Sequence, residues 1–123
     1  MNVRNVVSDI VDRYGTRDPY ELCDLMGIQV TKHPLTDING YSLEILGIRQ
    51  IILSDSLDGC TEKYVLAHEL GHTVMHSGFS GAYLMYCTGL AVNKIEKEAD
   101  AFAAELLITD DILTENMDMT INQ

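Results

Sequence analysis

The chain is short of the residues that would commit it to several common functions. Its three cysteines, Cys23, Cys60 and Cys87, are odd in number and far apart. None forms a C-x-x-C pair, so neither a disulfide framework nor a thiolate zinc site is expected, and free thiols suit a reducing compartment. Basic residues are scarce: Lys and Arg total 8 against 19 Asp and Glu, a formal net charge of −11. Phosphate contacts need a basic surface, so direct nucleic-acid binding is not expected. Much of the acidic excess lies in the last third, where it could steer a basic partner. No apolar run approaches the length of a membrane span. The N-terminal stretch carries charges at helical spacing and lacks a secretory core with a cleavage site, so a cytoplasmic protein is expected. Internal repeats, low-complexity runs and linkers are absent as well.

What is there suits a single globular domain over residues 1–123, with 46% hydrophobic and 22% charged residues. Val3, Val6, Val7, Ile10, Val11 and Tyr14 recur at helical steps, and Gly15 is a natural stop. Asp18-Pro19 predicts an N-cap and first helical residue, with Leu22, Leu25 and Met26 as the buried side and Gly27 as the end. Ile28 to Thr31 alternates as a strand. Tyr41 to Ile45 and Arg49 to Leu53, joined at Gly47, predict an antiparallel hairpin. Thr61 is expected to cap a helix from Glu62 to Ser77, with Gly78 beyond it. Asn93 is expected to cap another, from Lys94 to about Ile108, with Ile95, Ala99, Phe102, Ala103, Leu106 and Leu107 as its apolar stripe. Phe79 to Val92 reads as a loop with a short helical turn. Thr109-Asp110-Asp111 is expected to open a last short helix before a frayed tail.

The chain is organised around Ala67-His68-Glu69-Leu70-Gly71-His72. On a helix, His68 and His72 share a face one turn apart, so two imidazoles can reach one metal ion. Glu69 points to the neighbouring face, where a carboxylate can serve as general base beside the metal's open position. A helix that merely happens to carry these residues is the bland alternative, weakened by a fitting cluster downstream. Within Glu96-Lys97-Glu98-Ala99-Asp100, Glu96 and Asp100 share a helical face. Glu96 can supply the third ligand while Asp100 accepts the second N–H of a ligating histidine. Glu98, on the far side of that helix from Glu96, is expected to face solvent and is the weaker candidate. His76 is the rival third ligand, but three histidines on successive turns of a straight helix span about 12 Å. A rim or transition-state role is expected for it instead. Tyr41, Tyr83 and Tyr86 are further candidates for an oxyanion donor, and His33 has no assigned role. The donor set suits zinc and also manganese or iron.

The two motifs, Ala67 to His76 and Ile95 to Leu107, resemble those of the ImmA/IrrE metallopeptidases. The resemblance implies a compact α+β, gluzincin-like domain in which a small three-stranded antiparallel sheet packs against the motif helix. It implies zinc held by His68, His72 and Glu96, with Glu69 as catalytic acid and base. It implies an endopeptidase that cleaves a partner protein, a helix-turn-helix transcriptional repressor, in phage, mobile-element or stress regulation. Ile108-Thr109 stands where the family usually has proline after Leu-Leu; catalysis is not thereby excluded, but the family's regulation and substrate choice do not carry over from the motifs alone. A non-cleaving, metal-stabilised module that sequesters the repressor is the alternative function.

Overall fold

The Ile51-Ile52-Leu53 run is the most apolar strand segment in the chain, and it occupies the centre of the sheet. The computed structural model describes residues 2–76 and 89–108. In chain order the elements are α1 (Val3–Tyr14), α2 (Pro19–Leu25), β1 (Gln29–His33), β2 (Gly40–Ile45), β3 (Ile48–Ser54), α3 (Gly59–Met75) and α4 (Gly89–Leu107). The α+β architecture is the expected one. No described helix is long and apolar enough to cross a membrane. The expected turn within Phe79 to Val92 falls largely outside the described residues, as do Ser77, Gly78 and the last helix and tail from Thr109.

The sheet order is β1-β3-β2. β2 and β3 form the expected antiparallel hairpin, from Gly40 opposite Leu53 to Ile45 opposite Ile48. Its two-residue turn has positive φ at Leu46 (53°) and Gly47 (82°), the twist that a tight hairpin requires. The sheet is not antiparallel throughout, however: β1 runs parallel to β3, with Val30 opposite Ile51. The reason is the burial of β3. Ile51, Ile52 and Leu53 are at most 5% exposed, so this strand needs a neighbour on each side. The connection 34–39, opened by Pro34, carries the chain from β1 past the place β3 will take.

Alternation along the strands sends Ile51 and Leu53 toward the helices. There they join Val65, Leu66 and Leu70 of α3, Phe102 and Leu106 of α4, Val7 and Ile10 of α1, and Leu22 and Cys23 of α2 in one core. Cys23 replaces the predicted Leu25, which is 55% exposed. The caps also differ from expectation. Asp58, not Thr61, opens α3, accepting the Thr61 N–H at 2.8 Å. Carboxylates are good caps, and this one adds a turn upstream of the motif. α4 likewise begins before Asn93, and its last carbonyls, those of Glu105 and Leu106, accept from the Arg17 guanidinium.

α3 and α4 make the most extensive helix contact, and a glycine sets its spacing. A Cβ on Gly71 would stand 3.0 Å from Cβ, Cγ and Cδ1 of Phe102, which is itself fully buried. Ala99 and Ala103 are the small residues of α4 on the same buried stripe. A second tie joins α2, α3 and β1: Tyr20 donates to Glu62 at 2.6 Å, and the Lys32 ammonium lies 2.9 Å from the other Glu62 oxygen. The bonds from Tyr20 and then Lys32 hold the Glu62 carboxyl below its usual 4.5, outweighing the effect of burial. Burial, then the Glu62 bond, pushes the Tyr20 phenol up to about 12.

Two outcomes follow. Gly71→Ala forces the helices apart and should cost about 1–3 kcal/mol of stability, read as a lower denaturation midpoint. Glu62 is preferred in its ionised form, so its contribution is complete above pH 4.5 and fades as pH falls through the lowered folded-state value. Glu62→Gln should therefore be less stable than the parent at pH 7, with the gap closing on acidification. A urea series at pH 7 and pH 3 measures this, and a gap that widens in acid would contradict it.

Candidate metal centre

The core side of α3 is filled by Val65, Leu66 and Leu70, which leaves His68 and His72 in a row toward α4. Their rings stand edge to face with centroids 4.9 Å apart. On α4, Ala99, Phe102, Ala103 and Leu106 form the buried stripe, and Glu96 flanks it one turn before Ala99. The helix contact at Gly71 brings this flank over the histidines. Glu96 Oε2 lies 2.9 Å from His68 Nε2, and Oε1 lies 2.9 Å from His72 Nε2. One ligand atom from each of the three residues falls within 4.8 Å of the others. Tetrahedral zinc with N and O donors holds its ligand atoms about 3.4 Å apart, so a small outward relaxation would admit the ion. Two imidazoles and a carboxylate, aimed inward by a single face of each helix, fit such a cation chemically as well.

The other ring nitrogens are also engaged. His68 Nδ1 lies 2.8 Å from Asp100 Oδ1, the partner predicted for a ligating histidine. Tyr64, one turn before His68, donates to the same Asp100 oxygen at 2.8 Å, and burial pushes its phenol up to about 12. His72 Nδ1 meets His76 Nδ1 at 3.1 Å. Burial is the main force holding the His72 imidazole below its usual pKa, against the pull of Glu96. A neutral imidazole is the form that binds metal.

Glu69 is buried beside this cluster, with its carboxyl pushed up to about 7. Burial is the largest cause; Glu96 adds to it, while His68 and the nearby Ser42 hydroxyl of β2 oppose it. An adjoining cleft of about 250 Å³ is lined by Asn39, Gly40, Tyr64 and Asp100 together with His68 and Glu69. β2 is an edge strand of the sheet, so one row of its backbone groups is left unpaired by the sheet itself.

Three predicted positions differ. His76 is only 7% exposed and stands behind His72, not at a rim. It sits just past the last residue of α3, at φ −122° and ψ 39°, so its ring leaves the straight histidine row. Glu98 does not face solvent: its side chain is 23% exposed and reaches His76 Nε2 at 3.2 Å. Both glutamates lie about 80° from the centre of the buried stripe, one on each flank, so distance from Glu96 was the wrong measure. Tyr41 is paired with Ile52 on the sheet face opposite Ser42, and the structure does not bring it to the cleft. Tyr83 and Tyr86 lie outside the described residues. Ser42 and Tyr64 went unread in the sequence. Tyr64 was legible as the residue one turn before His68, whereas nothing local distinguishes Ser42.

Known proteins are similar to this chain over most of its length. The family model described as the IrrE N-terminal-like domain matches residues 23–118. A Bacillus subtilis (strain 168) protein named Metallopeptidase ImmA is 29% identical over 92% of the chain and 67% of its own length. A Bacillus phage phi105 protein named Uncharacterized immunity region protein 2 is 28% identical over 98% of the chain and 78% of its own length. The match spans both the motif helix and the glutamate-bearing helix that folds over it, and the chain belongs to the IrrE N-terminal-like family of metallopeptidases.

Proposed function

We propose that this metallopeptidase is a zinc-dependent endopeptidase acting on a helix-turn-helix transcriptional repressor. The observation that carries the chemical half is the convergence of both Nε2 atoms on the two oxygens of Glu96, with Glu69 buried alongside. His68, His72 and Glu96 would hold the ion. Bound zinc supplies Lewis acidity, which makes water a nucleophile near neutral pH and polarises a peptide carbonyl.

The remaining work falls to the chain's own residues. Glu69, as a carboxylate, takes a proton from the water that attacks the carbonyl carbon, then delivers it to the departing amine nitrogen. Its burial supports this role, because a raised pKa brings proton uptake and release close to neutral pH. Ser42 of β2, beside that carboxylate, favours its ionised form. Asp100 holds His68 in the tautomer whose Nε2 is bare, and Tyr64 holds Asp100. An extended substrate would add to the free edge of β2, using main-chain bonds for affinity and the cleft beside Tyr64 for a side chain.

The repressor assignment draws on the family resemblance and on the names of the relatives, one a metallopeptidase and one an immunity region protein. The chain's charge of −11 suits a substrate with a basic face.

The test pairs metal analysis with cleavage of a purified helix-turn-helix repressor from the same genome. Wild type should carry one zinc per chain at saturation and cut the repressor. Glu96→Ala should lose the zinc, whereas Glu98→Ala should still fill at saturating metal. Glu69→Gln should keep the zinc and lose at least about a hundredfold in cleavage rate. A Glu69→Gln protein that inactivates the repressor as well as wild type would show that binding, not hydrolysis, is the function.

A further inference from the structure

His72 differs from His68 in having no carboxylate on its Nδ1. That atom meets a second imidazole, His76 Nδ1, at 3.1 Å, and His76 Nε2 in turn meets Glu98 Oε1 at 3.2 Å. Both histidines are buried, and Glu98 comes from the opposite flank of α4 to Glu96. We propose that Glu98 and His76 form a two-step hydrogen-bond relay that positions His72 as a metal ligand. The proposal rests on the metal-site reading of His68, His72 and Glu96 above.

Proton bookkeeping gives the relay a direction. Each neutral imidazole carries one N–H, and the two facing Nδ1 atoms can share only one proton between them. In one arrangement His72 Nδ1–H donates to His76 Nδ1. The His76 proton is then on Nε2, where it donates to the Glu98 carboxylate, and His72 Nε2 is bare toward Glu96. In the reverse arrangement His76 Nδ1–H donates to His72 Nδ1. The His72 proton then occupies Nε2 and blocks the lone pair a metal needs. His76 Nε2 would be bare as well, with its lone pair against a carboxylate oxygen. With a cation between His72 Nε2 and Glu96, only the reverse arrangement leaves a bare nitrogen against a carboxylate, so Glu98 selects the first.

The negative charge of Glu98 also polarises both rings, so His72 becomes a stronger donor than an imidazole hydrogen-bonded to water. His76 and Glu98 are positioning residues in this scheme, because neither reaches the ligand cluster: the only described group of three potential donors is His68, His72 and Glu96. The geometry depends on two features already described. His76 leaves helical dihedrals immediately after α3, and Glu98 flanks the stripe of α4 that packs on α3.

The experiment measures zinc affinity by chelator competition, and the visible spectrum of the cobalt(II)-loaded protein, on the full chain. The variants are His76→Ala, His76→Asn, Glu98→Ala and Glu98→Gln, each checked for folding by circular dichroism. His76→Ala should bind zinc about 10- to 100-fold more weakly and shift the cobalt bands. His76→Asn should recover most of that loss, because its amide oxygen can accept from His72 Nδ1. Glu98→Ala should weaken binding about tenfold, and Glu98→Gln less, since its amide oxygen still accepts from His76 Nε2–H.

A folded His76→Ala with wild-type affinity and spectrum would overturn the relay and leave the metal site standing. Equal losses in His76→Ala and His76→Asn would overturn it in favour of simple packing. If His76→Ala does not fold, the Glu98 pair decides: no difference of Glu98→Ala from wild type overturns the relay. Wild type that takes up no ion under any loading would defeat the metal reading itself, and the relay with it, before any variant is compared.

Discussion

The contact between Gly71 and Phe102 is the constraint on which the rest of the molecule depends. A hydrogen in place of a side chain lets the phenyl ring of α4 lie directly on the motif helix. The separation of the two helices is thereby set within the packed core and not by the polar groups above it. That separation carries Glu96 to 2.9 Å from both imidazoles. The glycine inside the His-Glu-Leu-Gly-His segment thus has a packing reason: it lies on the side of the helix away from the open cleft and regulates how far the third donor can approach.

Around this contact the site concentrates carboxylates to a degree that an ordinary protein surface would resist. Glu69, Glu96, Glu98 and Asp100 lie about three histidines, His68, His72 and His76, and Glu69 is buried. A dication at the centre would offset that accumulation; Glu69, raised chiefly by its burial, is pushed further by Glu96. Each histidine is supported from behind by a different device. His68 uses Asp100, itself bonded to Tyr64; His72 uses a second imidazole. The sheet contributes from the other side, where β2 offers a free backbone edge and the Ser42 hydroxyl.

Much of this was legible in order along the chain. Helical spacing put His68, Glu69 and His72 on defined faces, and the same rule paired Glu96 with Asp100. Asp18-Pro19 and Gly15 marked helix ends because capping is decided by a few neighbouring residues. The misreadings share a cause. The parallel pairing of β1 with β3 joins strands separated by another strand, so no adjacent residues encode it. The angle of Glu98 from Glu96 points it to solvent, but what matters is its angle from the buried stripe, which is known only once the helix has a partner. Spacing alone continues His76 along a straight helix, whereas the chain leaves that helix at this residue.

By itself, then, the sequence determined the kinds of donor, their spacing within each helix, and the membership of two amphipathic segments in one family. Those are local matters, controlled by a rise of about 1.5 Å per residue and by the chemistry of single side chains. The tertiary structure alone decided which carboxylate meets both imidazoles, that Ser42 comes beside Glu69, and that Glu98 reaches His72 through His76. These contacts join residues far apart in the chain, and their distances are set by the packing of α4 and β2 on α3, a collective result of burying the core.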